Sequence, residues 1–282
     1  MIYKEREIIV FPFLFTFFEG QYMGFVSAQE RIKLSGFNNL TKILSFNLYD
    51  FCITFDDKQK DDYINWIDEK YSSDRILEIS RKICDIIDSD IISESKMDYD
   101  PVGASTMTLM SDVQGGKWEQ VTRPTGSAVK SHLTKSHLTS HTYPDASDSN
   151  GICTFRVDFD IATCGDIIPL RAINYLFEAF ECDVVYIDYV VRGYTRRADG
   201  KKIYNDQYFN SIQDFIDPKV IELYEFHSDL NMPRDNIWQT KLMLKKFGPE
   251  RFVFEKKDTN HPEIDQKMQQ LYSEMREVYH LY

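Results

Sequence analysis

The chain has 282 residues, 43% of them hydrophobic and 28% charged, with a formal net charge of −12 at pH 7. That length supports one large or two small cores, and the composition is that of a folded globular protein. The acidic balance argues against a nucleic-acid partner and mildly favours a cationic substrate.

The N-terminus carries an apolar run, Ile8 to Phe18, interrupted only by Thr16 and broken by Pro12. It falls short of the roughly 20 residues a membrane span needs, so no membrane partner is expected. Val26-Ser27-Ala28 resembles a signal-peptide cleavage site in outline. However, Lys4, Glu5, Arg6 and Glu7 cancel in charge, and Glu19 interrupts the approach. Residues 1–31 are therefore read as an N-terminal extension, or as the product of an upstream start with Met23 the next initiator. Residues 32–282 are read as one domain.

Leu44, Phe46 and Leu48 alternate with Ser45, Asn47 and Tyr49, the period of a half-buried strand that continues through Phe51 and Ile53. Residues 61–70 and 74–87 read as helices. In the second, Ile76, Ile79, Ile83, Ile86 and Ile87 share a face and Ser73 is placed as N-cap. Residues 104–110 read as a strand and 111–126 as a glycine- and proline-bearing loop. Cys153, Phe155, Val157, Phe159 and Ile161 form the clearest amphipathic strand. Pro169 opens a helix with Leu170, Ile173, Phe177 and Phe180 on its apolar face. Residues 184–191, apolar on both faces, read as a central strand. Residues 235–247 read as a helix stopped by Gly248-Pro249. A final helix follows Pro262, with Ile264, Met268, Leu271, Met275 and Val278 as its stripe. Strands and helices mix without βαβ alternation, which gives an α+β class.

Five cysteines, Cys52, Cys84, Cys153, Cys164 and Cys182, contain no CxxC pair. Neither a disulfide framework nor a zinc site is expected, and reduced thiols fit a cytoplasmic location.

The densest chemistry lies in residues 130–145, KSHLTKSHLTSHTYPD. Two lysine-preceded serines, three histidines and a proline within sixteen residues suggest chemistry on the chain itself. The unit KSHLT repeats, so Ser131 and Ser136 both qualify as nucleophile. His141 lies five residues beyond Ser136, whereas Ser136 itself lies five beyond Ser131, so spacing favours Ser136. An odd separation puts Ser136 and His141 on opposite faces of a flat strand. Their pairing would need a bend or bulge.

KSHLTSHTYPD at 135–145, followed by CTFRVDFDIATCG at 153–165, resembles the S-adenosylmethionine decarboxylase family in its longer bacterial, pyruvoyl-dependent form. GFNNLTK at 36–42, YDPVGAS at 99–105 and VVRGYTR at 190–196 extend the resemblance over all but about the first thirty residues. It implies antiparallel sheets packed face to face with helices outside. It also implies a self-cleaving proenzyme split between Lys135 and Ser136 into residues 1–135 and 136–282. Ser136 would become a covalent pyruvoyl group, His141 the processing base and Cys164 the proton donor in decarboxylation. A terminal ketone forms a Schiff base with an α-amino acid and withdraws the electrons released with CO2. The product would be the aminopropyl donor for spermidine synthesis, and the resemblance adds homo-oligomers of processed units and Mg2+ activation.

Two positions depart from the family pattern. Ala128 stands where the small form has an assisting serine, with Ser127 beside it, and Asp145 stands where Glu is common. Three rival readings remain at this stage. They are the same chemistry on ornithine or arginine, an unprocessed regulatory pseudoenzyme, and a hydrolase using Cys164 with His141.

Overall fold

Strand β1 (Thr41–Ile53) realises the alternation of Leu44, Phe46 and Leu48, whose side chains are fully buried while Ile43, Ser45 and Asn47 are half-buried. The computed structural model describes residues 39–112, 136–165, 167–197 and 199–280. The apolar run at 8–18, the sites at Met23 and 26–28, most of the 111–126 loop, and Ser127, Ala128, Lys130, Ser131 and Lys135 lie outside the described residues.

β1 pairs antiparallel with β5 (Ile152–Cys164) on one side and β6 (Val184–Arg192) on the other. Around them an eight-stranded antiparallel sheet runs β2-β3-β4-β5-β1-β6-β10-β9. Its other members are β2 (Ser89–Asp98), β3 (Ala104–Asp112), β4 (Ser136–Asp145), β9 (Tyr224–Met232) and β10 (Ile237–Leu244). Two-residue strands β7 (Thr195–Arg196) and β8 (Lys202–Ile203) form a separate ribbon. The class is α+β, as expected, with these strands in a single large sheet.

One face of the sheet is covered over most of its width, leaving the edge strands exposed. Helices α1 (Asp57–Lys70) and α2 (Ser73–Ile86) lie over β2 to β5. A 3-10 turn at Pro169–Ala172 leads into α3 (Ile173–Ala179), whose Phe177 meets Phe46 edge-on at 5.3 Å. Phe209 stacks on Trp238 at 4.5 Å and extends this layer over β10. The other face is covered at one end only. There α4 (Ile264–His280) buries Leu271 and Met275, and its Val278 carbonyl accepts from the Tyr186 hydroxyl. Away from α4 that face carries half-buried Ser45, Asn47 and His141 and exposed Met107 and Tyr143.

Residues 235–247 are not a helix. They form the β9–β10 turn and β10, with Trp238, Thr240 and Leu242 buried on the covered face. β10 lies beside the central strand β6, and ladder hydrogen bonds there override a helical pattern.

Ser73 is the first residue of α2 and not its cap, a position held by Ser72. The Asp98 carboxylate, at the end of β2, accepts from both the Ser73 N–H and the Ser73 hydroxyl at 2.7 Å. These bonds, the backbone one foremost, hold the Asp98 carboxyl below the usual range. Its contribution is therefore present above the unfolded value of about 3.9 and is lost as pH falls through the lower folded value. Asp98→Ala should cost about 1 kcal/mol at neutral pH, as loss of a helix cap does. In urea titrations across pH, its difference from the parent chain should vanish in strong acid.

On the covered face Lys42 forms an ion pair with Asp206 at 2.9 Å, each side chain only 2% exposed. The pair ties the segment after β8 to the middle of the sheet. Breaking a buried pair strands a charge, so Lys42→Ala should lose about 3–5 kcal/mol in urea unfolding.

Candidate active site

Ser136 opens β4, and Cys164 closes β5 just before Gly165, whose φ of 67° turns the chain out of the sheet. β4 and β5 are antiparallel neighbours in register from His137↔Ala162 to Asp145↔Thr154. The start of one strand therefore meets the end of the other. The Ser136 side chain is 2% exposed. Its Oγ accepts a hydrogen bond from the Cys164 N–H at 3.1 Å and lies 3.6 Å from Cys164 Sγ. Cys164 is half-buried, whereas Cys52, Cys84, Cys153 and Cys182 are buried. Burial pushes the Cys84 and Cys153 thiols up to about 11 and Cys182 well above its ordinary value. Cys84, Cys153 and Cys182 are thus protonated, shielded thiols, and Cys52 is buried with them.

β4 runs without a bulge between Ser136 and His141, pairing Met110 through Ser105 on β3 residue for residue. Ser136, Leu138, Ser140 and Thr142 consequently face the helices, and His141 faces the partly open side. Five residues at about 3.4 Å each also separate the two along the strand by roughly 17 Å. The structure thus brings Ser136 and Cys164 together and leaves His141 apart from both. Its surroundings are Asp158, its register partner on β5, and Tyr143, whose ring lies 6.2 Å away at an angle of 20°. Arg156 joins Asp158 through a 2.6 Å ion pair and lies 5.2 Å over the Tyr143 ring.

Comparison with known proteins places the sequence in a family. A sequence model of S-adenosylmethionine decarboxylase matches residues 68–193, a span that holds Ser136, His141 and Cys164. The S-adenosylmethionine decarboxylase proenzyme of Hahella chejuensis is 42% identical over 257 residues, 89% of this chain and 97% of the relative. The chain belongs to the S-adenosylmethionine decarboxylase family. The proenzyme of that name from Clostridium acetobutylicum is 41% identical over 90% of this chain and 96% of its own length. A crystal structure of the adenosylmethionine decarboxylase from Aquifex aeolicus matches at TM-score 0.32 and 17% identity, covering 61% of this chain and 98% of its own.

As a decarboxylase-family chain, the protein has residues that fit a pyruvoyl group at position 136. A buried serine at a strand end, with an N–H aimed at its oxygen and a thiol alongside, would supply the precursor atom, a donor to it and an acid. Mg2+ finds no such fit, because the described residues contain no group of three or more His, Cys, Asp or Glu side chains able to hold a metal ion. The Cys164–His141 hydrolase reading also lacks support. Asp158 stands opposite His141, and Cys164 lies six residues further along β5, roughly 20 Å away at about 3.4 Å per residue. Sequence reasoning missed the Cys164 N–H as a partner of Ser136, since a backbone donor leaves no mark in residue identity. No helix of the described residues is long and apolar enough to cross a membrane.

Proposed function

We propose that this chain is a pyruvoyl-dependent decarboxylase of S-adenosylmethionine that cleaves itself between Lys135 and Ser136. One observation carries the reading: Ser136 Oγ is buried against both the N–H and the thiol of Cys164. The word proenzyme in the relatives' names supports it.

In the cleavage, Ser136 Oγ attacks the Lys135 carbonyl, and a C–O ester bond replaces the amide C–N bond. The Cys164 N–H would stabilise the charge that Oγ carries as it loses its proton, and again as it departs as a carboxylate oxygen in the elimination. Loss of the Cα proton and scission of Cβ–Oγ then free residues 1–135 with a carboxylate terminus. The dehydroalanine left at 136 tautomerises to an imine, and water displaces its nitrogen as ammonia. The resulting pyruvoyl carbonyl supplies an electron sink for decarboxylation. Cys164, adjacent to that position, returns a proton to the substrate's α-carbon. The product is an aminopropyl donor for spermidine synthesis in the cytoplasm. The partly open sheet face, with Met107 and Tyr143 exposed, supports assembly of processed units into a homo-oligomer.

A denaturing gel with intact mass tests the reading. Two chains, residues 1–135 and a blocked 136–282 that borohydride reduces, are expected. A lasting single chain with no trappable carbonyl overturns it. His141 enters by family resemblance, as the base that takes a proton during processing. His141→Ala is expected to accumulate uncleaved chain, followed on a gel over hours. Because His141 lies across the sheet from Oγ, normal cleavage in that variant would remove it from the processing chemistry.

A further inference from the structure

Beyond the β6 end of the sheet, the β7–β8 ribbon and the β9–β10 turn enclose a cleft of about 250 Å³. It is lined by Arg197, Lys201, Lys202 and Arg234 and by no acidic residue. In a chain of net charge −12, four cations around one concavity are against the average. All four are exposed, and none is paired with a carboxylate among the described residues. The nearby Asp199 carboxylate is turned onto the Lys201 backbone N–H at 3.0 Å. The Lys202 Nζ lies over the Tyr194 ring, 4.7 Å from its centre.

Three further features make this a built site. Asn205 lines the cleft although it is only 7% exposed. Its amide oxygen is occupied by the Gln207 N–H at 3.1 Å, and its NH2 has no protein partner among the described residues. That NH2 is not among the fully buried unpaired atoms, so it keeps contact with solvent and is left free to donate to a ligand in the cleft. Tyr204 and Tyr208, 56% and 63% exposed, line the same cleft with flat aromatic surface. The ribbon is also held in shape, by the Arg197 N–H to Lys201 O at 3.0 Å and by the Arg196 guanidinium to Gly200 O at 2.7 Å.

Taken together, the geometry points to a second ligand site on this chain, for a nucleoside polyphosphate. The guanidinium and ammonium groups and the Asn205 NH2 take the phosphate oxygens, and the tyrosines take the base. Phosphate suits the donors because all of them donate and none accepts. The decarboxylation substrate is excluded here, since its sulfonium and amino groups carry net positive charge. The cleft also lies roughly 15 Å from Cys164, three strand spacings of about 4.8 Å across β5, β1, β6 and β10. It is connected to the catalytic end, however. Asp206, next to Asn205, pairs with Lys42, and the Lys42 carbonyl accepts from Thr163 Oγ1 at 3.4 Å, beside Cys164.

Isothermal titration of the full-length protein with ATP, tripolyphosphate and inorganic phosphate tests this, and the readout is independent of cleavage and decarboxylation. ATP is expected to bind with a Kd of roughly 10–100 μM, in the range of several charge-assisted contacts at an open site, and to weaken as salt rises. Arg234→Ala and Lys201→Ala should each weaken it about tenfold while circular dichroism and basal activity stay unchanged. Tyr208→Ala should weaken ATP but not tripolyphosphate. Equal binding of ATP and tripolyphosphate, indifferent to Tyr208, overturns the nucleoside assignment in favour of inorganic polyphosphate. No ATP binding, or ATP binding that survives both cation substitutions, overturns the site. So does a change in sedimentation of Arg234→Ala without anion binding, since the cleft would then seat an acidic surface of another copy.

Discussion

Ser136→Ala is expected to leave the protein as one uncleaved 33.2 kDa chain with no measurable CO2 release. The loss should be complete, because a single atom, Oγ, both breaks the backbone and leaves the ketone behind. The variant should nevertheless fold. Ser136 is 2% exposed, and its hydroxyl is bound to the Cys164 N–H and thiol at the edge of a large core, so alanine removes one oxygen and leaves one N–H unsatisfied. That deficit is worth about 1–3 kcal/mol, too little to unfold a sheet of this size. The decisive comparison is therefore a gel and a thermal melt on the same sample. A folded, uncleaved, inactive chain supports Ser136 as nucleophile, and an active Ser136→Ala variant would transfer that role to another residue. Ser136→Thr makes a finer test. It restores a hydroxyl with an extra methyl in a fully packed position, so slow cleavage is expected. The product would carry a 2-ketobutyryl group one methylene heavier, visible by mass.

The interior of the fold was written in period-two alternation. β1 and β5 each bury one face against the helices, so Leu44, Phe46, Phe155 and Phe159 announce themselves, while β6 shows its central place by being apolar on both faces. The edges were not legible for the opposite reason. β2 reads SDIISESKMD and β9 reads YEFHSDLNM, polar and largely exposed. Edge strands are kept charged to discourage pairing with other chains, and that erases their pattern. β10 misled through coincidence, since Trp238 and Leu242 are four apart and Gly248-Pro249 imitates a helix stop. Only its pairing with β6 decides the matter.

The site shows the same division. Parity along β4 foretells opposite faces for Ser136 and His141, because strand geometry is local. The meeting of Ser136 with Cys164, 28 residues on, depends on which strands are neighbours and on their register. Neither follows from residue types, and without the family motif Cys164 is indistinguishable from the other four cysteines in sequence. The basic cleft was illegible too, since Arg197 to Lys202 and Arg234 come together only because the ribbon and the β9–β10 turn share one end of the sheet.

Cys164→Ala should separate the two reactions this site is proposed to run. Cleavage relies on the backbone N–H of residue 164, which alanine keeps, so two chains and a borohydride-trappable carbonyl are expected much as before. Decarboxylation relies on the side chain as a positioned acid, and its removal should lower kcat by about 10²–10⁴-fold, the usual worth of such a group. Cys164→Ser should fall near alanine, since a hydroxyl is a far weaker acid than a thiol. Selective alkylation offers an independent check. Cys84 and Cys153 are held protonated near 11 by burial and Cys182 higher still, while Cys164 is half-buried. Thiolate fraction and access together govern reaction with iodoacetamide. The reagent should therefore modify Cys164 first, abolish CO2 release in step with labelling, and be slowed by S-adenosylmethionine. If full labelling of Cys164 left turnover intact, the returning proton would have to come from elsewhere.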